Sequence, residues 1–379
     1  MTMKGNNSFS ACSRPLRKAA GVLGQAFRKY VIAAAALALA ACSPAAIAPP
    51  PEEAADEPIS WRMASTYPSS LVILGSMGKR LEEMVAAASG GRMEIRFFEP
   101  GALVPPFEIF DAVSYGAIEA GWSTPGYWAG REPALQLFAA VPFGPSAAEY
   151  LAWFEHGGGR ALFEEIYHRH NIHSLICGIS PPEASGWFKE PVTSVEDFEG
   201  LRIRFFGLGG KVLEKLGASV QLLSGGDIFP ALELGTIDAT EYSMPAADLR
   251  MGFYQAAKHY YFPGWHQQST FFELMINLDA WRGLSPARRA MIETACQANI
   301  ARSLAEGEAL QVEAMAELEE KGVIFETWSP EILEALRQAW REVAAELAAE
   351  DADFARGWES LQRFRKAHET WQERGYLEE

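Results

Sequence analysis

Residues able to hold a charged ligand stand in this chain where strands end. The stretch LGTIDATEYSMP, residues 234–245, reads as the end of a helix, a tight turn and a short buried strand over Thr236–Thr240. That strand is β-branched and mostly apolar, as a covered strand should be. Glu241 and Tyr242 follow it directly, ahead of Pro245. In open α/β sheets ligands sit beyond the carboxyl ends of the strands, so Glu241 is placed to hold something. Arg204 closes the strand-like GLRIRFF, where alternation sends Arg202 and Arg204 to one face. At a strand's end its planar fork suits a carboxylate clamp, or equally a structural ion pair. The loop in YYFPGWHQQST, residues 260–270, adds Trp265, Gln267 and Gln268. Aromatics and amides together suit a small pocket, although Trp265 also reads as core.

Three other motifs carry less. HGGG at 156–159 resembles an oxyanion-hole loop, but the G-x-S-x-G elbow which that chemistry requires is absent from the chain. A turn between helices explains those glycines. GLGGK at 207–211 fails both nucleotide templates, because Val212 stands where one needs its third Gly and the other a Ser or Thr. A helix start, or backbone approaching a ligand, explains it better. In HRHNIH, His168, His170 and His173 have spacings that do not share a helix face, and a solvated helix end is the expectation.

The elements positioning these residues alternate. ISWRMAST is strand-like, SSLVILGSMGKRLEEMVAAASGG is an amphipathic helix, and RMEIRFF, FEIFDAVSYG and IEAGWST continue the series. Strand–helix–strand repetition makes an α/β fold with parallel sheet and crossover helices the expectation. From about residue 285 onward long helical stretches dominate, with Ser285-Pro286 and Ser329-Pro330 as helix starts. No repeat of about 20–50 residues marks a solenoid.

The first 41 residues read as a processing signal. Six basic residues (Lys4, Arg14, Arg17, Lys18, Arg28 and Lys29) and no acid precede the apolar run VIAAAALALA. The run is shorter than the ~20 residues of a membrane span. It ends in Leu39-Ala40-Ala41-Cys42, which resembles the bacterial lipobox, where the cysteine is lipidated. Residues 43–57, rich in Pro, Ala and acid, read as a flexible tether. Without the six basic residues the chain has 27 basic (33 less six) against 49 acidic, a formal charge of −22. That balance argues against nucleic acid and requires a local cation for any anionic ligand. Beyond Cys42 only Cys177 and Cys296 remain, expected as two buried thiols although an oxidising compartment permits a bridge.

The run GLRIRFFGLGGKVLEKLGASVQLLSGGDIFPALELGTIDATEY closely resembles the solute-binding proteins of tripartite ATP-independent periplasmic (TRAP) transporters. The similarity extends through MASTYPSS, YWAG, VPFG, YYFPGWH and LSPARRAMIETA, nearly the whole mature chain. DAVSYG, GWF and ELMIN point to the branch that resembles 2-oxo acid and lactate binders. The resemblance implies a two-lobed α/β periplasmic binding fold with a ligand cleft between the lobes and long C-terminal helices. Residues 1–41 would be a lipoprotein signal and 42–57 the tether. Lobe I would comprise 58–181 with about 271–311, and lobe II 182–270 with about 312–379.

It also implies a small 2-oxo or 2-hydroxy monocarboxylate held with a metal ion, Ca²⁺ or Na⁺, and delivered to TRAP membrane permease subunits. Arg204 becomes the carboxylate clamp; Glu183, Glu241, Gln267 and the Tyr242 backbone hold the ion; Tyr127, Trp128, Tyr242 and Glu183 meet the solute. The protein would be periplasmic, anchored through Cys42, and the long C-terminal helices permit a homodimer. Glu183 stands where relatives carry Gln, and Gln267 where they carry Glu, so the number of acidic ligands is unchanged. Ile179 replaces an Asn of the relatives and Tyr242 a Trp. The alternatives are a metal-dependent extracytoplasmic enzyme, which no H-E-x-x-H motif supports, and a ligand sensor for a signalling receptor.

Overall fold

A computed structural model describes residues 57–377. The lipobox Cys42, the signal and the tether up to residue 56 lie outside the described residues. The strands, in chain order, are β1 (Ile59–Ser65), β2 (Met93–Phe98), β3 (Ala120–Ser123), β4 (Ile172–Ser180), β5 (Gly186–Phe188), β6 (Arg202–Arg204), β7 (Ser219–Gln221), β8 (Ala239–Thr240), β9 (His259–Phe262), β10 (Thr270–Asn277) and β11 (Ile324–Thr327). They form two sheets, ordered β2-β1-β3-β10-β4 and β11-β9-β5-β8-β6-β7. Each sheet is the centre of one lobe. Both are mixed rather than parallel: β10 runs antiparallel to β3 and β4, and β5 antiparallel to β8 and β9. These antiparallel strands bring the chain back from one lobe to the other, which a purely parallel winding cannot do with short connections.

The helices are α1 (Leu74–Ala88), α2 (Ile109–Ser114), α3 (Ala147–His156), α4 (Gly159–Arg169), α5 (Gly207–Lys215), α6 (Gly225–Glu233), α7 (Pro245–Met251), α8 (Leu278–Arg282), α9 (Pro286–Glu320), α10 (Pro330–Glu350) and α11 (Ala352–Gly375). Helix α1 buries Leu74, Met77, Leu81 and Val85, a helical stripe laid on the first sheet. Gly78 lets it approach closely, since a Cβ there would stand 2.8 Å from the Trp122 ring. The glycines of HGGG turn the chain between α3 and α4, with Gly158 at φ 97°, and GLGGK opens α5. Among the described residues no helix is long and apolar enough to cross a membrane.

Helix α9 lies along β4, an outer strand of the first sheet. Ser303 exchanges hydrogen bonds with the Ile179 backbone, and the Asn299 amide donates to the Cys177 carbonyl at 2.9 Å. These side chains satisfy edge groups that a bare outer strand would expose. Cys177 and Cys296 form a disulfide between β4 and α9, so the expectation of two free thiols is corrected. Helical and strand geometry bring two cysteines together that stand 119 residues apart in the chain.

Three further expectations change. The strand foreseen over Thr236–Thr240 is only Ala239–Thr240, because Gly235 at φ 74° ends α6 in a turn that consumes Thr236. His173 is buried rather than solvated: its ring stacks on Trp281 at 4.3 Å and its Nδ1 meets His168 Nε2 at 3.0 Å. The last helix, α11, counted with lobe II from the sequence, packs on α3 and α4 of lobe I. Arg356 pairs with Glu165 there, and Gly357 fits against Leu137 and Leu162.

Candidate functional site

Two crossings between the sheets carry the polar centre. The chain leaves β4 through Pro181-Pro182-Glu183 into β5, and leaves β9 through Pro263–Gln268 into β10. The crossings are tied together where the Glu183 N–H donates to the Gln267 carbonyl at 3.0 Å. Thr270 links the side chains, accepting from Gln267 Nε2 at 2.7 Å and donating to Glu183 Oε1 at 3.0 Å. Ser180 Oγ adds a longer bond to the same Glu183 oxygen, 3.3 Å.

The second lobe supplies the charge. β6 and β8 are parallel neighbours with Arg204 opposite Thr240, so Arg204 and Glu241 stand together at their carboxyl ends. Arg204 Nη1 donates to Glu241 Oε2 at 2.9 Å and to the Glu241 carbonyl at 2.6 Å, while Nε reaches the Leu223 carbonyl at 3.3 Å. The Phe206 N–H also donates to Glu241 Oε2, at 3.1 Å. Burial opposes the Arg204 charge, but Glu241 and three neighbouring tyrosines hold its pKa above the ordinary value. Arg202, on the same strand, is exposed and pairs with Asp238.

Between these groups lies a cavity of about 20 Å³, lined by Tyr67, Leu74, Thr124, Tyr127, Glu183, Arg204, Phe206, Tyr242, Gln267, Thr270 and Phe272. A volume of that order admits only a few heavy atoms. Its lining mixes apolar Leu74, Phe206 and Phe272 with polar Arg204, Glu183, Gln267 and Thr270. Arg204 also lies over the Tyr242 ring, 5.4 Å from its centroid.

Of the residues singled out in the sequence, the structure brings Arg204, Tyr127, Glu183, Tyr242 and Gln267 to the cavity wall. Glu241 stands behind that wall as the partner of Arg204, with its second oxygen unbonded. Trp128 departs from expectation. It is buried in the core of lobe I, where its indole N–H donates to Glu273 at 2.7 Å, and it does not line the cavity. A short 3-10 turn over Pro125–Trp128 presents Tyr127 and turns the next side chain inward. Trp265 is buried beneath its loop, packed between Phe143 and Phe205. Sequence reasoning missed Leu74, Thr270 and Phe272, which no strand-end rule marks, and also Tyr67, Thr124 and Phe206, which follow the ends of β1, β3 and β6. Extending the carboxyl-end rule from β8 to every strand of both sheets finds the latter three.

Among the described residues no three His, Cys, Asp or Glu side chains cluster as a metal site, but buried oxygens near the cavity stand without partners, which is the kind of donor that a hard cation takes. Glu183 Oε2, Gln267 Oε1 and Glu241 Oε1 are each buried with no hydrogen-bond partner. Buried polar atoms are rarely left so. Burial, then the nearby Glu241 charge, pushes the Glu183 carboxyl well above the usual carboxylate range. A cation among these oxygens reverses that balance, because its charge becomes the largest in the site. Oxygen-only ligands select a hard cation over zinc or copper.

A two-lobed α/β protein with a charged, enclosed site at the lobe crossings is a periplasmic-type binding protein. The chain belongs to the DctP family, the bacterial extracellular solute-binding proteins of family 7, whose sequence pattern matches residues 63–351. A monocarboxylate 2-oxoacid-binding periplasmic protein from Nostoc sp. (strain PCC 7120) is 36% identical over 317 residues, 83% of this chain and 86% of that protein. A TRAP transporter solute-binding protein from Bordetella bronchiseptica, with copurified calcium and picolinate, is 34% identical with a TM-score of 0.82. That match covers 84% of this chain and 95% of the other. A TRAP protein from Colwellia psychrerythraea with bound calcium and pyruvate is 33% identical, with a TM-score of 0.80, over 83% of this chain and 97% of its own. One from Pseudoalteromonas atlantica with sodium and pyruvate is 32% identical, with a TM-score of 0.79, over 83% and 96%. The family serves solute transport outside the cytoplasm and is not enzymatic, so the hydrolase alternative falls away.

Proposed function

We propose that this protein captures a small 2-oxo or 2-hydroxy monocarboxylate together with Ca²⁺ or Na⁺ and delivers it to TRAP permease subunits in the membrane. The observation that carries this reading is the set of three orphaned oxygens, on Glu183, Gln267 and Glu241, beside the buried guanidinium of Arg204. The relatives that hold pyruvate with calcium or sodium support it. Arg204 would face the solute carboxylate, with Tyr127 and Tyr242 closing the sides. Glu183, Gln267, Glu241 and the Tyr242 backbone would hold the ion, which supplies positive charge to the 2-oxo or 2-hydroxy oxygen and carboxylate. The small cavity and its apolar lining by Leu74, Phe206 and Phe272 favour a short solute over a long or dicarboxylic one.

Without the ion the Arg204 charge is already matched by Glu241, and burial holds the Glu183 carboxyl well above the usual carboxylate range, so no free positive charge meets an incoming anion. Binding should therefore require the ion. Calorimetry with pyruvate, lactate and branched 2-oxo acids, with and without a chelator or sodium-free buffer, tests this. Affinity for none of these acids, or ion-independent affinity, would overturn it. Cys42 would be the lipid anchor, since the Leu39-Ala40-Ala41-Cys42 pattern precedes the tether. A Cys42→Ser variant should then move from the membrane to the soluble periplasmic fraction, whereas a wild type already soluble there would remove the anchor.

A further inference from the structure

His266 is the side chain in this region that the proposed binding scheme leaves without a task. It is 1% exposed, and neither ring nitrogen has a hydrogen-bond partner. Its Nε2 lies 3.6 Å from Glu241 Oε1, itself buried and unpartnered. The other Glu241 oxygen is committed to Arg204 and the Phe206 N–H. Two orphaned polar groups facing each other a few tenths of an ångström beyond hydrogen-bond distance are a bond awaiting a small shift.

The surroundings show why the ring is there. Phe205 packs on it edge-to-face at 4.7 Å and Trp265 at 5.5 Å, so apolar walls hold its plane. Gly209, the third residue of the GLGGK motif, makes the space: a Cβ there would stand 2.8 Å from the His266 Cβ. Gly209 thus accommodates the Phe205 ring, 2.5 Å from where a Cβ would stand, together with the His266 side chain at its Cβ.

We infer that His266 is a positioning residue for the carboxylate clamp: its Nε2–H bonds one lone pair of Glu241 Oε1, leaving the other for the proposed ion, fixes the Glu241 carboxylate, and through it aims Arg204 at the solute. The inference rests on the proposed function only for the solute that Arg204 meets. The relay runs from His266 to Glu241 to Arg204, and every side chain in it is buried. The tautomer with the proton on Nε2 is what the acceptor character of Glu241 Oε1 demands.

The test has two parts. In ¹⁵N-labelled ligand-free protein, the His266 imidazole should show the Nε2–H tautomer, with a proton resonance that moves in Glu241→Gln. The Nδ1–H tautomer, or a resonance indifferent to Glu241→Gln, overturns the inference without reference to any solute. The second part is calorimetry with pyruvate at saturating Ca²⁺. His266→Leu should weaken pyruvate about tenfold, the scale of one bond to a charged group. Its melting temperature should fall, since Glu241 Oε1 is then left buried without its donor, and the affinity loss is read from protein folded at the assay temperature. His266→Gln, which keeps an N–H donor, should recover part of the affinity, and in a Glu241→Gln background His266→Leu should add no further loss. Wild-type affinity in His266→Leu, or additive losses in the double variant, would overturn the relay. A wild type that binds no 2-oxo acid would instead count against the proposed function, and the resonance experiment would still decide the role of His266.

Discussion

Arg204 and Glu241 meet at 2.9 Å with 1% and 0% of their side chains exposed, and a second bond joins the same guanidinium nitrogen to the Glu241 carbonyl at 2.6 Å. A pair so buried has two uses. It keeps a guanidinium charged inside the protein, and it orients the fork towards the cavity that Tyr127 and Tyr242 flank. If Arg204 is the proposed clamp, solute recognition and folding are coupled at this pair.

Arg204→Ala should lose solute binding and also destabilise the fold by about 3–5 kcal/mol, because Glu241 is left as a buried uncompensated charge. Arg204→Lys keeps the charge and should retain more stability, but the planar fork is gone. Its affinity for a 2-oxo acid should fall at least about thirtyfold, the low end of losses at buried charged contacts. Thermal melts alongside calorimetry separate the effects, and unchanged affinity in Arg204→Lys would remove the clamp.

Glu183 and Gln267 share Thr270 as a hydroxyl relay, and exchanging the two residues should reverse its polarity without breaking it. Glu183→Gln alone should weaken ion binding, and through it solute binding. Adding Gln267→Glu should restore much of the loss, since the acidic ligand count returns to its starting value. Titration of Ca²⁺ and pyruvate into wild type, both single variants and the double reads this out. No recovery in the double variant would mean that the two positions do not share an ion.

The Cys177–Cys296 disulfide ties β4 to α9 and closes a loop that spans 119 residues and includes the strands β5 to β9 of the second sheet. Cys177→Ser with Cys296→Ser should lower unfolding free energy by about 2–4 kcal/mol, mainly by freeing the unfolded chain. Urea midpoints of wild type with and without reductant should show the same loss. Equal midpoints would mean that the bridge adds nothing to stability.

Glu273 is fully buried in lobe I, accepting from the Trp128 indole at 2.7 Å and the Ser174 hydroxyl at 2.6 Å. Burial pushes its carboxyl up to about 7, against the pull of those bonds. The folded protein therefore keeps this proton where an unfolded glutamate, titrating near 4.5, has lost it. Its stabilising share is complete below about pH 4.5 and is lost as pH rises to about 7, a change on the order of 3 kcal/mol. Glu273→Gln should flatten that part of the stability profile. Urea unfolding from pH 4.5 to 8 compares the two proteins, and parallel profiles would show that Glu273 titrates normally.

The class of protein was legible because local features carried it. Strand–helix alternation, helix starts at Ser285-Pro286 and Ser329-Pro330, and charged residues placed after strand ends are properties of short segments. Arg204 and Glu241 could be singled out as candidates because both stand at strand ends, a position that chain order alone reveals, and the fold pairs them. Trp128 was misjudged because adjacent residues in a 3-10 turn diverge, and only packing decides which one faces the cavity.

What the chain order could not decide is which distant groups meet. Glu183 and Gln267 are joined through Thr270 across two separate lobe crossings, Cys177 reaches Cys296 over 119 residues, and α11 returns to lobe I after α10 has packed on lobe II. Gly209 and His266 illustrate the same limit, since neither motif names its partner until two lobe II segments pack within van der Waals range. Periodicity and capping act over a few residues and are written locally. Pairings such as these depend on how buried surfaces fit and on which polar atoms lose water together, and those are settled only in the packed structure.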